Sequence, residues 1–174
     1  TLRRTHIPRS RVTAPRTISP HLAIAIIVLA EMFGTSLWFS INAVSADIYL
    51  GSSQGASIIG HLTSAVQLGF ISGTLVFALP GLADRYYASR LFATCALLGA
   101  LTNALFTAAH DSQLLAIALR FLTGFLLAGI YPIGMKLVMS WAPERAGQML
   151  GWLVGMLALG SGLPHLIRGI DLQL

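Results

Sequence analysis

Leu79-Pro-Gly-Leu-Ala-Asp-Arg-Tyr-Tyr-Ala-Ser-Arg90 is a short charged hairpin between two long apolar runs. A bilayer's hydrocarbon core is about 30 Å thick and a helix rises about 1.5 Å per residue, so about 20 apolar residues cross it. Both flanking runs are that long. The connection has no room for a soluble domain. Its Asp84, Arg85 and Arg90 place it at a membrane–water boundary, on the side where Lys and Arg gather.

Working outward from the hairpin, five stretches qualify as membrane spans: about 21–43, 60–82, 91–109, 114–138 and 147–167. Residues 169–174 form a short tail, and residues 1–20 form an arm before the first span. Ser19-Pro20 supplies a cap and a first-turn proline there. The predicted fold class is all-α, a polytopic transmembrane helical bundle. If the spans alternate, the arm, the 83–90 loop and the 139–146 loop share one side. Those segments hold Arg3, Arg4, Arg9, Arg11, Arg16, Arg85, Arg90 and Arg145, whereas the 44–59 loop and the 110–112 turn hold no Lys or Arg. The arm is therefore expected in the cytoplasm.

Composition excludes other classes. Of the 174 residues 55% are hydrophobic and 10% charged, against roughly 25% charged in a soluble domain. The solvent is lipid. The net charge of +5 sits in the acid-free arm and the short loops, which is membrane topology and argues against nucleic acid as a partner. An Arg- and Ser/Thr-rich arm also fits an organelle transit peptide, but a cytoplasmic tail is the simpler expectation. Cys95 is the sole cysteine, so no intrachain disulfide forms, and no Cys/His cluster has metal-ligand spacing. No cofactor is expected.

Two patterns lie inside the spans. Ala65, Gly69 and Gly73 recur every four residues in the second span, as do Gly147, Gly151 and Gly155 in the fifth. Small residues at this spacing let helices approach closely in lipid, where no hydrophobic drive brings them together. The other pattern is polar. Glu31 lies in the first span with Thr35, Trp38 and Asn42 within about 40° of it on a helix. The second span carries Thr63, Gln67 and Thr74 more sparsely. The fourth carries Arg120, with Gly124 and Ala128 on its face. A carboxylate near mid-bilayer costs about 2.5–3.5 kcal/mol on insertion scales, and arginine cannot shed its charge. Arg120 therefore needs an acid, carbonyls or water, and Glu31 needs a partner or a wet cavity. Either the two form a static ion pair, or Glu31 binds a proton or substrate while Arg120 holds an anion or tunes Glu31.

With these features assembled, the chain resembles the N-terminal half of a major facilitator superfamily transporter. That family's loop between helices two and three reads roughly Gly-x-Leu-Ala-Asp-Arg-x-Gly-Arg-Arg, and Leu82, Ala83, Asp84 and Arg85 match it. Pro80 stands at the leading glycine position and Tyr87, Ala88 and Ser89 at the later Gly-Arg-Arg, with Arg90 one residue on. Arg120-Phe-Leu-Thr-Gly124 is similar to the family's Arg-x-x-x-Gly motif, whose arginine is implicated in proton coupling. Pro143-Glu-Arg145-Ala-Gly147 is similar to its loop between helices four and five. Gly155, Gly160, Gly162 and Pro164 match its antiporter motif only loosely and lack the Gly-Pro step.

The resemblance implies nested inverted repeats with the substrate site near the midplane, and helices one and four, which carry Glu31 and Arg120, both lining it. It implies a permease for a small-molecule substrate, plausibly proton-coupled, working by alternating access in a lipid bilayer, by expectation the bacterial inner membrane. The pathway residues would be Glu31, Arg120, Thr35, Trp38, Asn42 and Gln67. Asp84, Arg85 and Arg90 would form the gating loop, and Gly69, Gly73, Gly124, Gly151 and Gly155 the packing faces. Family members have twelve helices, so a sixth helix and a C-terminal half are expected to be missing from a truncated chain, inactive alone, whose natural partner is that half. The rival from another class is a non-transporting scaffold subunit packed through glycine faces. A membrane enzyme is disfavoured, because His21, His61, His110 and His165 lie near span ends and do not converge.

Overall fold

The computed structural model describes residues 18–49, 55–79, 81, 85–109 and 112–171, with side chains left undescribed at 40–49, 164, 167, 168 and 171. Among the described residues six helices and one 3-10 turn follow in order, and no strand occurs. They are α1 (Pro20–Tyr49), α2 (Gly55–Ala78), α3 (Ala88–Ala108), α4 (Gln113–Leu127), α5 (Tyr131–Trp141), the 3-10 turn Pro143–Arg145, and α6 (Ala146–Asp171). Five segments are long and apolar enough to cross a membrane: Pro20–Phe39, Gly55–Ala78, Ala88–Ala108, Gln113–Trp141 and Pro143–Leu163. The bundle is that of an integral membrane protein. Many large apolar residues are exposed along the helices, among them Leu22, Ile26, Leu29 and Phe33 along one side of α1.

Local chemistry sets the ends. Ser112 caps α4, its hydroxyl accepting from the Leu115 N–H. After α2 the chain reverses through Gly81, whose φ of 62° is left-handed and comfortable only without a Cβ. Its N–H donates to the Ala78 carbonyl at 3.1 Å.

The fourth crossing is not one continuous helix. It divides at 128–130, where Gly129 and Ile130 donate to Leu126 and Leu127 in tight i→i+3 bonds of 2.9 and 3.0 Å. The cause is Pro132. It has no N–H for the Ala128 carbonyl four residues back, and its ring crowds that carbonyl. Irregular backbone at membrane depth survives only where protein covers it. Ala128 and Ile130 are 1% and 0% exposed.

α2 packs most extensively on α4, and α1 on α6, followed by α3 on α4 and α1 on α5. The two largest interfaces exchange when crossings one and four, and two and five, are swapped. That is the symmetry an inverted three-helix repeat requires. The α2–α4 interface brings backbone against backbone. A Cβ on Gly69 would overlap the Phe121 carbonyl, one on Gly73 the Phe125 carbonyl, and one on Gly124 the Val66 carbonyl.

The fifth crossing differs from the second. Nothing described lies within 4 Å of a Cβ at Gly147, Gly151 or Gly155, and Gly151 and Gly155 are exposed. They face away from α1. Gly160 makes the close approach instead: a Cβ there would come 2.7 Å from the Met32 carbonyl and 2.8 Å from the Thr35 hydroxyl.

Candidate functional site

Both membrane-buried charges are fully enclosed, at 0% exposure for Glu31 and for Arg120. They do not pair. Arg120, on α4, takes the carbonyl option the sequence left open. One terminal nitrogen, Nη1, donates to the Leu37 carbonyl at 3.3 Å and to Asn103 Oδ1 at 3.0 Å, and Nη2 donates to the Trp38 carbonyl at 2.9 Å. Its Cζ lies 5.9 Å from the Phe106 ring centre. Only Nε is left without a partner. One side chain thus ties α1, α3 and α4 together.

Glu31 is the opposite case. Its carboxyl packs between α1 and α5 against Gly134, where a Cβ would overlap Oε2. Neither oxygen has a hydrogen-bond partner among the described residues. The nearest hydroxyl in sequence, Thr35, is 4% exposed but spends its proton on α1 itself, donating to the Glu31 carbonyl at 2.9 Å and lying 3.0 Å from the Met32 carbonyl.

Between the two charges along α1 lies a cavity of about 240 Å³ lined by Thr35, Trp38, Phe39, Phe70, Leu127, Tyr131 and Leu157. α1 and the fourth crossing run antiparallel here, since Glu31 meets Gly134 and Gly34 meets Ile130. The cavity therefore sits one turn beyond Glu31 on α1 (at Thr35) and one turn beyond Gly134 on the facing helix (at Tyr131). Trp38 serves both regions, its ring walling the cavity and its carbonyl holding Arg120. The ring is fixed edge-on against Phe70, with centroids 5.2 Å apart and planes at 73°.

The sequence-predicted residues separate accordingly. Glu31, Thr35, Trp38 and Arg120 gather around this part of α1. Gln67 does not join them: it is exposed on α2 beside the exposed Leu68, and bonds to neither charge. The side chain of Asn42 and the whole of Asp84 lie outside the described residues. Arg85 and Arg90 are exposed, and the Arg90 guanidinium lies 5.0 Å from the Tyr87 ring centre. Sequence reasoning missed Asn103 and Gly134. Asn103 carried a usable signal, as a carboxamide in the middle of an apolar span; Gly134 carried none.

Comparison with known proteins follows the same line. The family model for the Major Facilitator Superfamily matches residues 22–164. A protein of Haemophilus influenzae named "Putative metabolite transport protein" is 31% identical over 140 residues, covering 77% of this chain and 33% of that protein. The chain thus spans about a third of the length of the curated relative it matches. No solved structure matches it.

Proposed function

The chain belongs to the Major Facilitator Superfamily, and on that premise we propose that it forms part of a secondary transporter in which Glu31 exchanges a proton as a small solute crosses. Family membership points to membrane transport and away from catalysis. One observation carries the finer reading: both oxygens of a fully buried carboxyl, near the middle of a membrane span, lack a partner among the described residues. A buried polar group left this way costs about 1–3 kcal/mol, more when charged, a cost that a static structural pair would avoid. A carboxyl that must be neutral in one state and charged in another cannot be permanently tied to a base. Arg120, tied to α1 and α3, holds the first crossing against the fourth beside the cavity. Asp84 and Arg85 act at the gate of the 83–90 loop, with the N-terminal arm in the cytoplasm of a bacterial cell. The solute moves by alternating access along a path lined by Glu31, Thr35 and Trp38.

The test is proton movement driven by solute. The whole gene product, reconstituted in liposomes loaded with a pH-sensitive dye, is challenged with pools of organic solutes. The native protein is expected to move protons with at least one pool, and Glu31→Gln to lose about 99% of that signal, as for removal of an essential proton carrier. A Glu31→Gln protein that still couples proton and solute movement would sink the proposal.

A further inference from the structure

The geometry points to an organic cation with an apolar body as the substrate class of the Trp38 cavity, with Glu31 as its counter-ion. This rests on the transport reading, since the cavity is taken as the solute site. Sequence alone gave opposed hints, an acid asking for a cation and an arginine asking for an anion. The structure removes the second. Both terminal nitrogens of Arg120 are already donated to two α1 carbonyls and to Asn103, so an anion would have to displace these bonds. Among the described residues, three of the five Arg120 N–H groups are spent in this way, whereas both Glu31 oxygens remain without a donor.

The cavity wall agrees with that balance. Four of its seven lining residues are aromatic (Trp38, Phe39, Phe70 and Tyr131) and none is charged. Aromatic faces carry negative potential and attract ammonium groups, most strongly where water is excluded. A hydrophilic ion would gain little here: the hydroxyl of Thr35 is turned onto its own helix, leaving few groups to replace a hydration shell. A ring-bearing quaternary or protonated amine satisfies both features. Its apolar body fills the aromatic cavity, and its charge lies at the Thr35 end; Glu31 is not part of the wall but follows four residues back along α1, a backbone rise of about 6 Å.

Three probes of one shape decide the matter: benzyltrimethylammonium, its neutral isostere neopentylbenzene, and the anion benzylsulfonate. Binding of radiolabelled benzyltrimethylammonium is measured on the whole gene product in lipid nanodiscs, with the other two as competitors. Saturable binding is expected, benzylsulfonate should not displace it, and neopentylbenzene should compete only weakly. Glu31→Gln should weaken binding by about tenfold or more, the size of one charge–charge contact at short range. Trp38→Leu supplies a second variant that leaves the carboxyl intact and should weaken binding in the same direction. Each variant is scored only as a monodisperse species. Absent saturable binding, displacement by benzylsulfonate, or unchanged affinity in Glu31→Gln would overturn the assignment. The dye assay on the same preparation separates the two proposals. Solute-driven proton flux without benzyltrimethylammonium binding leaves transport standing and the cation class wrong. Binding without proton flux from any solute pool leaves the cation site standing and coupled transport wrong.

Discussion

The two halves of the fourth crossing meet the first helix in opposite ways. The α4 half is locked. Gly124 lies on the Val66 carbonyl, and Arg120 holds two α1 carbonyls and Asn103. The α5 half meets α1 at Gly134, against a carboxyl that no described residue holds by a hydrogen bond. The difference follows from what a helix offers. Past its first turn, every helical N–H is spent on the carbonyl four residues back, but each carbonyl keeps a second lone pair. A helical bundle can thus satisfy an arginine from its own backbone almost anywhere, and can satisfy a carboxylate almost nowhere. A buried base can be a fixture in such a bundle. A buried acid left without a donor among the described residues is the feature on which the proposed proton exchange rests.

That contrast breaks most readily at Arg120. Arg120→Leu removes three hydrogen bonds inside the membrane, and at the values measured for such bonds the loss is about 2–4 kcal/mol. Thermal unfolding in detergent should show it as a clear drop in midpoint. Glu31→Gln should do nothing comparable, because it removes no hydrogen bond; its midpoint is expected within about 0.5 kcal/mol of native or above it. Equal losses in the two variants would mean that the carboxyl has a structural partner after all.

Next in size come the glycines. Gly124→Ala puts a methyl into the Val66 backbone, which cannot retreat as a flexible side chain would, and overpacking of that kind costs about 1–3 kcal/mol. Gly151→Ala meets open space and should gain up to about 1 kcal/mol from helix propensity. The same unfolding measurement reads both, with opposite signs. A matching loss in Gly151→Ala would show that the open face of α6 is covered in the assembled protein.

This pair also marks how far the sequence could be read. Five apolar crossings, and the gathering of Glu31 and Arg120 on the first and fourth, follow from length, hydropathy and periodicity, which are local properties. The small-residue repeats at 65–73 and 147–155 look alike as strings, yet among the described residues Gly69 and Gly73 meet a neighbouring helix's backbone while a Cβ at Gly147, Gly151 or Gly155 meets nothing. Spacing reveals a flat face but not what lies opposite it. The fate of Arg120 was hidden for a related reason. Carbonyl acceptors exist in every helix and leave no trace in residue type, whereas an acidic partner would have. Asn103 was legible in principle, since a carboxamide in a greasy span has to bond something.

The smallest effect belongs to the division between the halves. Pro132 leaves the Ala128 carbonyl without its helical donor, and the tight turn at 128–130 covers the defect. Pro132→Ala restores the N–H and removes the ring, so the helix can run straight from α4 into α5. The gain in stability is expected to be below about 1 kcal/mol, because covering helices already satisfy much of a membrane proline's cost. Its value lies in what else changes. A straightened crossing ties the Gly134 region to the locked half, so the contact with Glu31 loses its freedom to shift. If the break exists to let the α5 half move while Arg120 holds the α4 half, Pro132→Ala should slow solute-driven proton flux several-fold without reducing the amount of folded protein. Unchanged flux would assign the break to packing against Gly34 and Cys95 alone, and the two halves would then differ in their chemistry but not in their mobility.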